Sequence, residues 1–285
     1  MSTLDLGPVF RWAGVTGRLH AVDLDSGRQV GHGADEPVPT ASVFKVPLLV
    51  ELARQADAGL VDLAERVTVT AEDRVFGPTG VSAMTDDATL SLRDLAYLMI
   101  SVSDNTAADV LLARVGMAAV NAMLADFGLE GSRVTQNCRD LYTSMSEDAG
   151  GEWPFTEPEQ LARLRVLDPA RTNRSTPGEM TRLLGLIWRD EAARPESCAW
   201  MRGLLGLQVW PHRLASGFPY DDVEVSGKTG TLPTLRNEVG VVEYPDGGRY
   251  AVAVFTRAFS TVMNQPRADA VIGTSARMAV EHLRG

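Results

Sequence analysis

Hydrophobic positions alternate with period two near both ends of the chain and follow a helical period through its middle. Gly17 to Leu24 and Arg28 to Gly33, split by Asp25-Ser26-Gly27, predict a hairpin with a glycine-containing turn. Glu238 to Tyr244 and Arg249 to Arg257, split by Pro245-Asp246-Gly247-Gly248, predict a second one. Val223 to Gly227 leads into Lys228, and Arg66 to Thr70 alternates like a short strand. From Ser42 to Ala58 the pattern is helical and apolar almost all round, so it predicts a central, buried helix stopped at Gly59. Pro47 removes one N–H donor from its first turns.

Helix signals then follow in series. Ser91-Leu92-Arg93-Asp94 opens a helix to about Ser101 in capping-box style. The next starts after Asn105 and stops at Gly116, and a third ends near Gly128. Thr176-Pro177-Gly178-Glu179 combines a cap, a first-turn proline and an acid at the third position. A final amphipathic helix is expected from about Arg267 to Leu283. Strands at both ends with helices between them predict an α/β (α+β) unit whose antiparallel sheet is built from both termini. The expected division is a sheet part, about 1–45 and 190–285, and a helical part, about 46–189, within a single unit spanning 1–285.

Composition narrows the function. A chain of 285 residues that is 45% hydrophobic is long enough for one large domain or two interleaved subdomains. A net charge of −10 without a basic cluster argues against nucleic acid as partner. Met1 to Arg11 lacks a basic stretch followed by an apolar one, and no apolar run approaches membrane-spanning length. The expectation is a cytoplasmic protein, or a secreted one whose export signal has been removed, without a membrane partner and monomeric by default. Two cysteines, Cys138 and Cys198, make no disulfide framework. His20, His32, His212 and His282 are scattered without metal-ligand spacing, so neither metal nor cofactor is expected.

Candidate chemistry begins at Ser42-Val43-Phe44-Lys45. Residues three apart share a helix face, and a lysine desolvated by apolar neighbours can take a serine's proton. Ser42 is also a natural helix cap, so the pair alone decides little. Ser103-Asp104-Asn105 and Lys228-Thr229-Gly230 follow in order. With these three motifs, and with Val102 to Ala107 and Thr176 to Met180, the chain resembles class A β-lactamases among the penicillin-recognising serine hydrolases, from about Gly17 to Arg284.

The resemblance implies a five-stranded antiparallel sheet flanked by helices, an all-α subdomain, and a site at their junction. It implies Ser42 as nucleophile and Lys45 as acylation base or proton relay. Ser103 would carry the proton to the leaving nitrogen, and Asn105 would hold the substrate's side-chain amide. The N–H groups of Ser42 and Thr231 would form an oxyanion hole. Lys228 and Thr229 would bind a substrate carboxylate, with Arg236 as a second anchor or an ordinary strand arginine. Gly230 would let substrate lie against the strand. Asp104 is expected to brace the loop, and the whole Ser103–Asn105 turn also serves as a cap.

One family feature is missing. Class A β-lactamases carry E-x-x-L-N, whose glutamate activates the water that clears the acyl-enzyme. Glu157-Pro158-Glu159-Gln160-Leu161 has an extra residue before the leucine, and Ala162 replaces the asparagine. Counting back from Thr176-Pro177 points near Gln160, and counting forward from Asn105 points near Arg139. Glu157 and Glu159 are the candidate bases, or simply part of an exposed acidic turn. The expected function is a serine hydrolase opening a β-lactam through acyl-Ser42, on a small substrate bearing a carboxylate. Its rivals are an amidase, esterase or acyltransferase of the same mechanism, and a slowly deacylating penicillin-binding or sensing protein.

Overall fold

The alternating segments at the two ends of the chain pair into one sheet, as their patterns require. The computed structural model describes residues 2–151 and 157–285. In chain order, β1 (Ser2–Thr3), α1 (Gly7–Trp12), β2 (Val15–Asp23), β3 (Gln29–His32) and β4 (Val38–Pro39) lead to a 3₁₀ turn at Ala41–Phe44. That turn runs into α2 (Lys45–Asp57), followed by β5 (Arg66–Val69), β6 (Ala88–Ser91), α3 (Leu92–Ser101) and α4 (Asn105–Val115). Next come α5 (Met117–Asp126), α6 (Cys138–Ala149), α7 (Pro158–Arg163), β7 (Arg174–Ser175), α8 (Pro177–Trp188) and α9 (Pro195–Gly206). β8 (Glu224–Leu232), β9 (Leu235–Glu243), β10 (Arg249–Ala258) and α10 (Pro266–Arg284) complete the chain.

The sheet order is β1-β3-β2-β10-β9-β8. Five strands are antiparallel neighbours, and two-residue β1 adds a parallel edge beyond β3. Alternation along β10 shows how both faces are covered. Val252 and Val254 join Phe10, Ile272 and Val280 under α1 and α10. Ala251, Ala253 and Phe255 belong to the opposite core, with Leu48, Leu52 and Leu183 from α2 and α8. β8 is the free edge and faces the helical part.

The division into parts differs from the expected one at α8. This helix packs on β2, β9 and β10, so it belongs to the sheet layer rather than to a helical part ending at about 189. Its apolar residues Met180, Leu183, Leu184 and Ile187 are all buried, which a second layer on the sheet demands.

Helix α2 is the helical core. Every residue from Lys45 to Ala53 is buried. It ends as the sequence indicates: Gly59 adopts φ +72°, with Leu60 N–H on Gln55 O and Gly59 N–H on Ala56 O, the paired bonds of a Schellman cap. Its start differs, because residues 41–44 form a 3₁₀ turn and the α-helix begins only at Lys45. Pro47 is then third in the helix, where no intrahelical acceptor awaits its N–H, so its cost is small. Both cysteines are free and buried. Among the described residues no helix is long and apolar enough to cross a membrane.

Candidate active site

Ser42 lies inside the 3₁₀ turn, and no side-chain capping bond is made there, which removes the cap reading. The turn's first bond runs from Val43 N–H to Thr40 O at 3.1 Å. Ser42 N–H comes before it and is left over, as at any helix start. Ala41, just ahead, has φ +48°, a left-handed conformation costly for a residue with a Cβ. The turn is held from two sides. Asn237 Nδ2 on β9 donates to Pro39 O (3.0 Å) and Thr40 O (3.3 Å), and Thr40 N–H donates to Asn173 O (2.9 Å).

One turn along, Lys45 is wholly buried. Its Nζ donates to Ser103 O (2.8 Å), Ser103 Oγ (3.3 Å), Asp104 O (3.3 Å) and Asn105 Oδ1 (2.8 Å). Burial pushes its pKa below the ordinary lysine value, with Cys138, Asp104 and Asp109 pulling it partly back. The Ser103–Asn105 turn is built to receive it. Ser103 has φ +61°. Asp104 caps α4 at Ala107 N–H (3.1 Å) and accepts from Val81 N–H (2.6 Å) and Ser82 Oγ (2.9 Å), so it braces the loop. Asn105 Nδ2 donates to Phe76 O at 2.8 Å.

The third wall is β8. Thr229 N–H donates outward to Gln208 Oε1 at 2.6 Å. Strand alternation therefore turns the Thr231 N–H outward as well. Ser42, Ser103, Asn105, Thr229 and Thr231 line one cleft of about 270 Å³. Gly230 has a different task from the one expected. A Cβ there would stand 2.6 Å from Thr40 O and 3.1 Å from Val43 Cγ2, so the glycine lets β8 press against the Ser42 turn.

Known proteins match nearly the whole chain. The sequence profile of the β-lactamase enzyme family fits residues 6–283. The chain belongs to this family. It is 34% identical to the β-lactamase regulatory protein BlaB of Streptomyces cacaoi, over 95% of this chain and 94% of that protein. It is 29% identical to the β-lactamase of Streptomyces albus G, over 93% and 79%. The crystal structure of a β-lactamase from Sphaerobacter thermophilus matches with TM-score 0.79 and 28% identity, covering 98% of this chain and 99% of that one. The fold is that of the class A β-lactamases.

Against the family pattern, several side chains sit elsewhere than expected. Lys228 is fully buried, with Nζ on Thr229 O at 2.9 Å. Burial, then nearby Lys45, pushes its pKa well below the ordinary lysine value, while Glu238 opposes this. It does not line the cleft itself. Arg236 does not point into the cleft either: its guanidinium donates to Leu232 O, Leu235 O and Met263 O and lies 3.5 Å from Asp269. Pairing across from Thr231 placed it near the site, but its side chain serves the neighbouring loop. A cation that does reach the cleft is Arg213: Nη2 lies 2.8 Å from Thr231 Oγ1, Nη1 donates to both Gly230 O and Asn237 O at 3.1 Å, and Nε pairs with Asp269 at 2.7 Å. Sequence reasoning missed it because Trp210-Pro211-His212-Arg213 carries no motif.

Glu157 and Glu159 stand exposed at the start of α7 and do not line the cleft. The segment with the E-x-x-L-N spacing beside the cleft is Cys138-Arg139-Asp140-Leu141-Tyr142, the first turn and a half of α6. Leu141 is buried, and Tyr142 OH is 3.5 Å from Asn105 Nδ2. Cys138, one turn earlier, is buried within electrostatic reach of Lys45. Asp109 fixes this segment, accepting the N–H groups of Cys138 (2.7 Å) and Arg139 (2.9 Å).

Proposed function

We propose that this β-lactamase-family hydrolase acts on β-lactams by forming an ester between the opened ring's carbonyl and Ser42. The observation that carries this reading is the enclosure of Lys45. Four acceptors from Ser103, Asp104 and Asn105 fix its amine one turn from Ser42; those bonds favour the ammonium, but burial outweighs them and pushes the pKa below the ordinary lysine value, toward the proton-accepting form. Lys45 takes the Ser42 proton, and Ser103, on the same amine, passes a proton to the departing ring nitrogen. The N–H groups of Ser42 and Thr231 receive the negative charge on the carbonyl oxygen. Arg213, Thr229 and Thr231 face the substrate carboxylate, with Lys228 behind them. Curated relatives named β-lactamase support a β-lactam as the substrate.

The test is incubation with a chromogenic cephalosporin, followed by absorbance and by intact mass. Ring opening with an adduct on Ser42 is expected, and S42A abolishes both. Unreacted cephalosporin alongside folded wild-type protein would overturn the reading in favour of an amidase, esterase or acyltransferase on another carboxylate-bearing metabolite.

A further inference from the structure

The segment that brings Arg213 to the Ser42 cleft also brings two aromatic rings. Trp210 and His212 line the same cleft as Ser42, Ser103, Thr229 and Thr231. Their rings meet edge to face, with centroids 6.2 Å apart and planes at 84°. The segment is fixed on both sides of the indole. Before it, Gln208 accepts Thr229 N–H at 2.6 Å and donates to buried Glu238 at 2.5 Å, and Val209 N–H donates to Ser101 O at 3.1 Å. After it, Arg213 is buried, with bonds to Asp269, Gly230 O, Asn237 O and Thr231 Oγ1. The indole is itself half-buried, so it has little freedom left to lose when a ligand meets it. Pro78 and Val102 add apolar surface to the same cleft.

Resting on the β-lactam reading above, we propose that Trp210 selects β-lactams that carry an aromatic ring on the carbon next to the one bearing the carboxylate. Arg213, Thr229 and Thr231 receive the carboxylate. Trp210, three residues before Arg213 and on the same cleft, then meets the substituent beside that carboxylate. An indole against a planar π-system gains an offset-stacked or edge-to-face contact beyond the area it buries, whereas a saturated ring of similar size gains burial alone. The selection acts in binding, because Ser42, Lys45 and Ser103 do the same chemistry on either substrate. It therefore appears in the concentration for half-maximal acylation and not in the limiting rate.

The experiment uses the full chain and two cephalosporins with the same acyl side chain. On the carbon beside the carboxylate-bearing one, the first carries a styryl group and the second a cyclohexylvinyl group. Acylation of Ser42 is followed by quenched intact mass against concentration. Wild type is expected to reach its half-maximal rate at an about 2–10-fold lower concentration of the styryl compound, with similar limiting rates. W210A should bring that ratio close to one, and W210F should keep most of it. If W210A only loosens Arg213, both compounds shift alike and the ratio stands, which overturns the proposal. Equal half-maximal concentrations in wild type also overturn it, while leaving the acylation reading intact. Failure of both compounds to acylate wild type sinks both.

Discussion

Gln208 Nε2 donates to the Glu238 carboxylate at 2.5 Å, while the same side chain accepts the Thr229 N–H. Glu238 also accepts Leu214 N–H at 2.6 Å, so one buried carboxylate ties the loop bearing Arg213 to the strand bearing Lys228. Burial raises its pKa from 4.5 to about 7, against the pull of Leu214 N–H, Arg213, Gln208 and Lys228. The native state then keeps a proton over an interval where the unfolded chain has lost it. This contribution to stability is full below pH 4.5 and is lost as pH rises through about 7. At 1.36 kcal/mol per unit, the loss is about 3 kcal/mol. Urea unfolding of wild type and E238Q between pH 4 and 8 checks it: the difference between the two should change across that range, and parallel curves would count against it.

Lys45 predicts the pH profile of acylation. Burial lowers its pKa, so the neutral amine becomes available at lower pH than for a free lysine. The acylation rate should rise with pH along a limb centred below 10.5. K45R, permanently charged, should lose about 10²–10⁴-fold in rate. Stopped-flow or quenched mass measurements across pH decide it, and K45R with a near-normal rate would remove Lys45 from the proton path.

G230A pushes a methyl group toward Thr40 O, a main-chain atom that has little room to yield. The Ser42 turn must shift, and a displacement near 1 Å can cost on the order of 10²-fold in rate. Stability should fall by about 1–3 kcal/mol as well. Acylation kinetics and thermal unfolding measured side by side test both parts.

Arg213 and Arg236 both hold Asp269 and neighbouring carbonyls, so losing either should cost stability, and binding is what separates them. R213A removes the guanidinium that lines the cleft, so it should weaken β-lactam binding, read as a higher concentration for half-maximal acylation rate. R236A breaks bonds to Leu232, Leu235 and Met263 carbonyls away from the cleft. It should lower stability by about 1–3 kcal/mol with little change in that concentration. The opposite pattern would return Arg236 to the substrate.

How much of this was legible depended on the kind of constraint. Ser42, Lys45, Ser103 and Asn105 could be read because their chemistry needs particular side chains at close spacing. The strands and capped helices could be read from their period and from residues such as Ser91 and Thr176, whose side chains do cap their helices. Helix α6 had a readable start in Asn137, which accepts Asp140 N–H, but its site position carries a cysteine and a tyrosine, so no motif survived. Arg213 and Arg236 could not be told apart, because the direction of a side chain depends on what packs beside it. Gly230 was correctly marked as a place without room, but the neighbour filling it was the chain itself.

The proposed oxyanion donors have a consequence for folding. Ser42 N–H belongs to the turn before α2, and Thr231 N–H to the free edge of β8, nearly two hundred residues later. Neither alone makes a reactive serine. A partly folded chain in which the helical layer has formed but has not yet met the sheet is chemically silent. Covalent labelling by penicillin would thus serve as a clock for the last docking step, registering only molecules in which the two layers have closed.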